Sequence, residues 1–172
     1  METEGLVKKA KQGDKDALVQ LIMAEKQAYY KLAYVYMKNS EDAMDAMEDM
    51  ILILYENISR LKNERSFYSW SKTILVNCCK NSLKKKSKVV FLDTLQEEHL
   101  HNTVEVKDEQ LRLEKHLGEL NSKQQEAIRL RYFMDMDYQS IAELLKIPLG
   151  TVKSRISIGL SKLKVVLGGE EL

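Results

Sequence analysis

One proline and seven glycines in 172 residues leave little material for tight turns. A protein built from hairpins needs more of both, because turns draw on glycine for positive φ and on proline for a preset φ. The two cysteines, Cys78 and Cys79, are adjacent, so they cannot staple distant parts of the chain and cannot make a zinc site unaided. His99, His101 and His116 are expected to be solvated rather than metal-bound. No apolar run approaches the length of about 18 residues that a membrane helix needs, and no signal-like segment is evident. The expectation is a reduced, cytoplasmic protein with no cofactor or metal. A glycine-rich phosphate loop, an HExxH pattern and a nucleophile with an evident base are missing too, which removes the common signatures of an enzyme.

What is present favours helices. Leu, Lys, Glu, Ala, Met and Gln dominate, and a hydrophobic content of 44% is enough to build a core. The composition therefore predicts an all-α protein. The net charge of +1 conceals a strong segregation. Residues 60–88 carry nine basic side chains against Glu64 alone, a local charge of +8. Residues 41–49 carry Glu41, Asp42, Asp45, Glu48 and Asp49 with no base, a local charge of −5. Such asymmetry points to two kinds of surface, one for a polyanion and one for a basic partner.

Apolar residues at three- and four-residue steps from Leu18 to Tyr36 predict an amphipathic helix, started by Asp14 or Asp16. "NSEDA" caps a second helix with an apolar face of Ala43, Ala46 or Met47, Met50 or Ile51, Leu54 and Ile58. The polar loop "SRLKNERS" leads to a third helix carrying Phe67, Trp70, Ile74 and Cys78. At three-residue spacing on an apolar face, Phe67 and Trp70 read as core. Periodicity is lost over residues 89–106, which are expected to be a flexible linker between a domain at 1–88 and one at 107–172. In the second domain "EQLRLEKHLGEL" is amphipathic through Leu113, Leu117 and Leu120, and "NSKQQEAIRLRYF" opens with a cap at Asn121 or Ser122.

The last part of the chain predicts a helix over Tyr138–Leu145, with Ile141, Ala142 and Leu145 inward. A tight connection over Lys146–Pro148 follows, and then a longer helix with Val152, Ile156, Leu160 and Leu163 inward. Pro148 suits the first turn of that helix, where its missing N–H is unpaired anyway. Gly150 permits a close backbone approach, and Thr151 is suited to cap an exposed amide. Two helices joined so closely make a helix-turn-helix, whose second helix enters a DNA major groove. Thr151, Lys153, Ser154, Arg155 and Ser157 then lie where such helices meet bases and phosphates.

Several motifs in order resemble one family. "LVKKAKQGDKDALVQLI" is similar to the opening helix of the extracytoplasmic-function sigma factors, the small promoter-recognition subunits of bacterial RNA polymerase. "SEDAMDAMEDMILILYENI" resembles their polymerase-binding helix, with Glu41, Asp42, Ala43 and Asp45 in agreement and Glu48 in place of a usual glutamine. "FYSWSKTILVNCCKNSLKK" agrees at Phe67, Trp70, Ile74 and Asn77, and departs at Ser71, Asn81 and Lys84. "YQSIAELLKIPLGTVKSRI" carries the family's P-x-G-T-V-K-S-R complete, although Ile158 and Leu160 stand where further arginines are usual. Leu160 reads as core. Ile158 is an exposed apolar residue beside the DNA face, suited either to thymine methyls or to a covering partner.

The resemblance implies two small helical domains on a tether and no catalysis. It implies that the first domain binds the polymerase core through Asp45, Glu48, Asp49 and Leu52. The same domain would meet the minus-ten element through Lys62, Asn63, Arg65, Thr73, Asn77, Lys80 and Lys84, with residues 61–65 forming a pocket for a flipped base. The second domain would read the minus-thirty-five element. The implied partners are RNA polymerase core, promoter DNA and an anti-sigma factor, membrane-bound or free, with no stable homo-oligomer. A stand-alone helix-turn-helix regulator is the competing reading, but it leaves the acidic helix and the "FYSW…NCCKN" block without a purpose.

Overall fold

The computed structural model describes residues 2–92 and 115–166, with side chains described for 2–87 and 115–165. Among the described residues all regular structure is helical. The chain divides into two compact units, Met1–Asn102 and Thr103–Leu172.

The first unit holds α1 (Glu2–Lys11), α2 (Lys15–Ala24), α3 (Lys26–Met37), α4 (Ser40–Asn57) and α5 (Phe67–Leu92), with short 3-10 turns at Ile58–Arg60 and Glu64–Ser66. Asp14 is the residue that caps α2, its carboxylate accepting from the Ala17 amide at 3.1 Å. Gly13 precedes it at φ 101, a conformation that L side chains rarely adopt.

The helix expected from Leu18 to Tyr36 is two helices. Glu25 leaves helical geometry at φ −119, ψ 25, ending α2, and its carbonyl accepts from the Tyr29 amide to begin the next ladder. The break is held from outside, because the Tyr68 hydroxyl donates to the Leu21 carbonyl at 2.9 Å and Lys72 pairs with Glu25 at 2.7 Å. Apolar spacing alone does not register the break, since buried residues continue at helical intervals on either side. For α4, Asn39 accepts from the Asp42 amide at 2.8 Å, and Ala43, Ala46, Met47, Met50 and Leu54 are buried as expected.

α3, α4 and α5 pack against one another, while α1 packs on α2 and on both 3-10 turns. Tyr29, Phe67, Leu21, Leu32, Met50, Leu54 and Leu75 fill the core. Phe67 is therefore core, as expected, but Trp70 and Ile74 are only half-buried. The inward face of α5 runs instead through Phe67, Ser71, Leu75, Cys78 and Cys79. Burial pushes the Cys79 thiol up to about 12, which leaves almost no reactive thiolate at neutral pH. The helix continues to Leu92, four residues beyond 88, where the first domain was expected to end. The remainder of the expected linker, residues 93–106, lies outside the described residues.

Ser71, one of the departures from the family pattern, now has a physical account. It is fully buried, shares a 2.7 Å hydrogen bond with the Tyr29 hydroxyl, and lies 3.0 Å from the Tyr68 carbonyl. Burial also holds the Tyr29 phenol well above its ordinary range. The two partners should respond unequally to deletion. Tyr29→Phe leaves Ser71 bonded to Tyr68 and should cost about 0.5–1.5 kcal/mol, whereas Ser71→Ala strands a buried phenol and should cost about 1–3 kcal/mol. Urea unfolding of the two variants measures the order.

The second unit contains α6 (Ser122–Tyr132), α7 (Tyr138–Leu145) and α8 (Leu149–Val166), preceded by helical residues at 115–117. The helix proposed on Leu113, Leu117 and Leu120 falls partly outside the described residues. Leu117 and Leu120 are buried. Asn121 caps α6 in a reciprocal box with Gln124, with bonds of 2.8 and 3.4 Å. Asp137 caps α7 by accepting from Ser140 at 2.7 Å, and these bonds hold its carboxyl below the ordinary range.

α7 ends at Lys146, which is left-handed at φ 56, and the Ile147 amide reaches back to the Ala142 carbonyl at 3.1 Å. Pro148 lies one residue ahead of α8 rather than inside its first turn. Its carbonyl accepts from Thr151 at 3.0 Å and from Val152 at 3.2 Å, so it occupies the cap position and starts the ladder. On α7 the fully buried leucine is Leu144, with Leu145 half-buried. On α8 Val152, Ile156 and Leu163 are buried and Leu160 is half-buried.

Candidate functional site

The charge groups read from the sequence separate in three dimensions into side chains that hold the fold and side chains that face outward. On α4, Asp42 belongs to the first kind. It accepts from the Asn39 side-chain amide at 2.7 Å and pairs with Lys86 of α5. Asp45, Glu48, Asp49 and Leu52 belong to the second, and all four are exposed. Leu52 is 62% exposed, and Met44, Ile51 and Tyr55 are exposed on the same helix. The outer surface of α4 is thus carboxylates interleaved with large apolar side chains. That combination suits a partner offering both cations and an apolar surface. The sequence reading identified the acids but took Ile51 as a possible core residue and missed Met44 and Tyr55.

The basic segment divides in the same way. Lys72 pairs with Glu25, Lys86 with Asp42, and Arg65 with Glu4 at 2.9 Å. Lys11 bonds Glu64 at 3.2 Å, tying the loop before α5 onto α1. Hydrogen bonds from the Glu64 backbone amide and from Lys11 hold the Glu64 carboxyl below its ordinary range. Asn63 caps the 3-10 turn by accepting from the Arg65 amide at 3.1 Å, so its side-chain oxygen has a structural partner. Lys62 beside it is exposed.

Thr73, Asn77, Lys80 and Lys84 recur at spacings of four, three and four on α5. At 3.6 residues per turn this is one stripe, and it lies opposite the fully buried Leu75. Asn77, Lys80 and Lys84 are exposed, while Thr73 is half-buried and its hydroxyl donates to the Ser69 carbonyl at 3.0 Å. The half-exposed Trp70 stands beside the stripe one turn earlier. A line of amide, hydroxyl and ammonium groups next to an aromatic edge can follow phosphates and contact unstacked bases.

On α8, Lys153, Ser154 and Ser157 are exposed, and Thr151 and Arg155 are half-buried. The cap residue Asn121, with Lys123 and Gln124 of α6, shares a shallow groove with Gly150, Thr151, Ser154, Arg155 and Ile158. The α6 residues were not recognisable from sequence, because nearly thirty residues and a whole helix intervene. The same two helices also meet at Gly159. A Cβ at that position would meet Ile128 Cδ1 at 2.6 Å, so the missing side chain lets α8 lie close against α6. Gly150, by contrast, sits in open space, with no part of the chain near the position its Cβ would take.

The comparisons with known proteins fall on both units. Residues 21–89 match the model for sigma-70 region 2, and residues 110–163 match that for sigma-70 region 4. The chain is 32% identical over 164 residues to RNA polymerase sigma factor SigV of Bacillus subtilis, covering 95% of this chain and 99% of that one. It is 28% identical over 173 residues to the extracytoplasmic-function sigma factor SigW of the same organism, covering 92% of each. Among solved structures, CnrH in complex with the cytosolic domain of CnrY superposes with a TM-score of 0.70 at 19% identity, covering 99% of this chain and 100% of that one. The sigma factor RpoE in complex with the anti-sigma factor NepR, from Bartonella quintana, does so at 0.68 and 23%, covering 90% and 98%. At those identities the likeness concerns the fold.

Proposed function

The chain belongs to the extracytoplasmic-function sigma factors of the sigma-70 family, and from that membership we propose how its residues divide the work of promoter recognition. As a sigma factor it performs no catalysis of its own and directs RNA polymerase core to promoters. The outer face of α4, through Asp45, Glu48, Asp49 and Leu52, holds the polymerase core. The stripe Thr73, Asn77, Lys80 and Lys84, with Lys62, Asn63 and Arg65 in the preceding loop, meets the minus-ten element. α8, through Thr151, Lys153, Ser154, Arg155 and Ser157, reads the minus-thirty-five element.

The observation that carries this reading is the separation of exposed charge. α4 and α5 pack together through their apolar faces, so the carboxylates of one and the cations of the other point to different surfaces. One small unit can then hold a basic protein partner and a polyanion at once. Residues 1–92 are assigned to the polymerase core and the minus-ten element, and residues 107–172 to the minus-thirty-five element.

An anti-sigma factor is the proposed regulator. Support comes from the solved relatives, two of which are described in complex with such a protein or a cytosolic domain. No helix among the described residues is long and apolar enough to cross a membrane, which agrees with the proposed work in the cytoplasm.

Transcription by purified core polymerase, with and without the chain, tests the reading when start sites are mapped. Initiation at a defined set of promoters only when both are present is the expected result. A chain that shifts promoter DNA unaided and adds no new start sites to the polymerase is a stand-alone regulator instead.

A further inference from the structure

The outer line of α8 is unusual for a surface that meets DNA, because it carries no charge. Taking the buried Val152, Ile156 and Leu163 as the inner face, helical geometry places Gly150, Ser154, Ser157, Ile158 and Ser161 on the line pointing directly away from the core. The cations stand at its sides, Lys153 and Lys164 along one flank and Arg155 and Lys162 along the other. Lys123 of α6 adds to the second flank through the groove it shares with Arg155 and Ile158. Ile158, 50% exposed, is the one large side chain among those five positions. The next apolar residue on the line, Val165, comes two turns later, about 10 Å further along the axis.

A helix lying in the major groove turns its outer line to the base edges and its flanks to the two phosphate rims, which lie about 12 Å apart. The flanking lysines of α8 match the rims, while Arg155 is the flank cation whose longer, forked side chain can turn in to a base edge. Small side chains at Gly150, Ser154, Ser157 and Ser161 let the helix approach the floor closely, and the serine hydroxyls can donate or accept there. An isoleucine on that line needs an apolar partner on the floor. The major groove presents one such group, the C5-methyl of thymine.

We propose that Ile158 is a specificity residue of this chain, packing on a thymine methyl at one position of the upstream promoter element. The proposal rests on the reading of α8 as the helix that enters the major groove. It assigns a purpose to a side chain that would otherwise be a solvent-exposed hydrophobe between two rows of cations.

The methyl can be deleted without disturbing base pairing. Holoenzyme made from core polymerase and the full chain is bound to its own promoter, with each thymine of the upstream element replaced in turn by deoxyuridine. At one position the replacement should weaken binding about fourfold, the worth of one buried carbon. Ile158→Ala should weaken binding to the thymine template by a similar factor, and deoxyuridine at that position should add no further loss. Ile158→Val should retain part of the coupling. Losses that multiply at every thymine would overturn the proposal, as would Ile158→Ala weakening assembly with core polymerase in the absence of DNA. Lys153→Ala and Arg155→Ala, run in parallel, separate the two levels of the account. If they weaken upstream binding while Ile158→Ala shows no coupling, the thymine contact alone is wrong. If they too are silent, α8 does not read DNA and the underlying assignment fails with it.

Discussion

Reversing Asp45 and Asp49 to lysine should reduce co-purification with core polymerase by at least a hundredfold while leaving the fold intact. Both side chains are exposed and lie away from the buried Ala46, Met47 and Met50, so the substitutions remove no packing. Surface changes of this kind usually stay within about 0.5 kcal/mol of the parent stability. At the interface, like charges brought together cost several kcal/mol, and each 1.4 kcal/mol is about tenfold in affinity. Asp42 is the internal control. It is engaged with Asn39 and Lys86, so Asp42→Lys should lower the melting temperature rather than act selectively on binding. Wild-type co-purification by a well-folded Asp45 and Asp49 double variant would remove α4 from the polymerase contact.

The second large effect separates core from surface on a single helix. Phe67 is fully buried, with the rings of Tyr68 and Trp70 at 5.2 and 6.1 Å, so Phe67→Ala should cost about 3–5 kcal/mol. In a unit of this size that corresponds to a fall of about 15 °C or more in its melting temperature. Asn77→Ala, at an exposed position of the same helix, should leave the melting temperature within a degree or two and impair transcription instead. Thermal unfolding and transcription measured on both variants give the contrast. Equal effects on stability would mean that Asn77 is part of the packing and that the stripe is misassigned.

The features readable from sequence were those written in local periodicity and local caps. The all-helical class, a cap within "NSEDA", a cap at Asn121 or Ser122, and the two helices flanking Lys146–Pro148 all follow from neighbours within a turn or two. The features that could not be read depend on contacts between distant segments. The break at Glu25 is held by Tyr68 and Lys72, which come more than forty residues later. Ser71 looked like a flaw in a motif until Tyr29 was seen opposite it. The basic run over residues 60–88 reads as one block, but folding engages Lys72 and Lys86 with Glu25 and Asp42, while Lys62, Arg65, Lys80 and Lys84 remain exposed. The close packing of Gly159 on Ile128 between α8 and α6 is likewise a tertiary fit with no local signature.

The central claim is that two units read two elements of one promoter. It is tested most directly by transcription from a template library randomised in turn at the upstream and the downstream element, with wild-type, Arg155→Ala and Asn77→Ala holoenzymes. An arginine fork on a base edge is worth about 1–3 kcal/mol of discrimination, a range that sequencing of the transcripts resolves easily. The account predicts that Arg155→Ala alters strength and base preference upstream only, and that Asn77→Ala alters them downstream only. If either variant shifts preference in both elements, or if neither shifts any, the division of labour between the two units is contradicted.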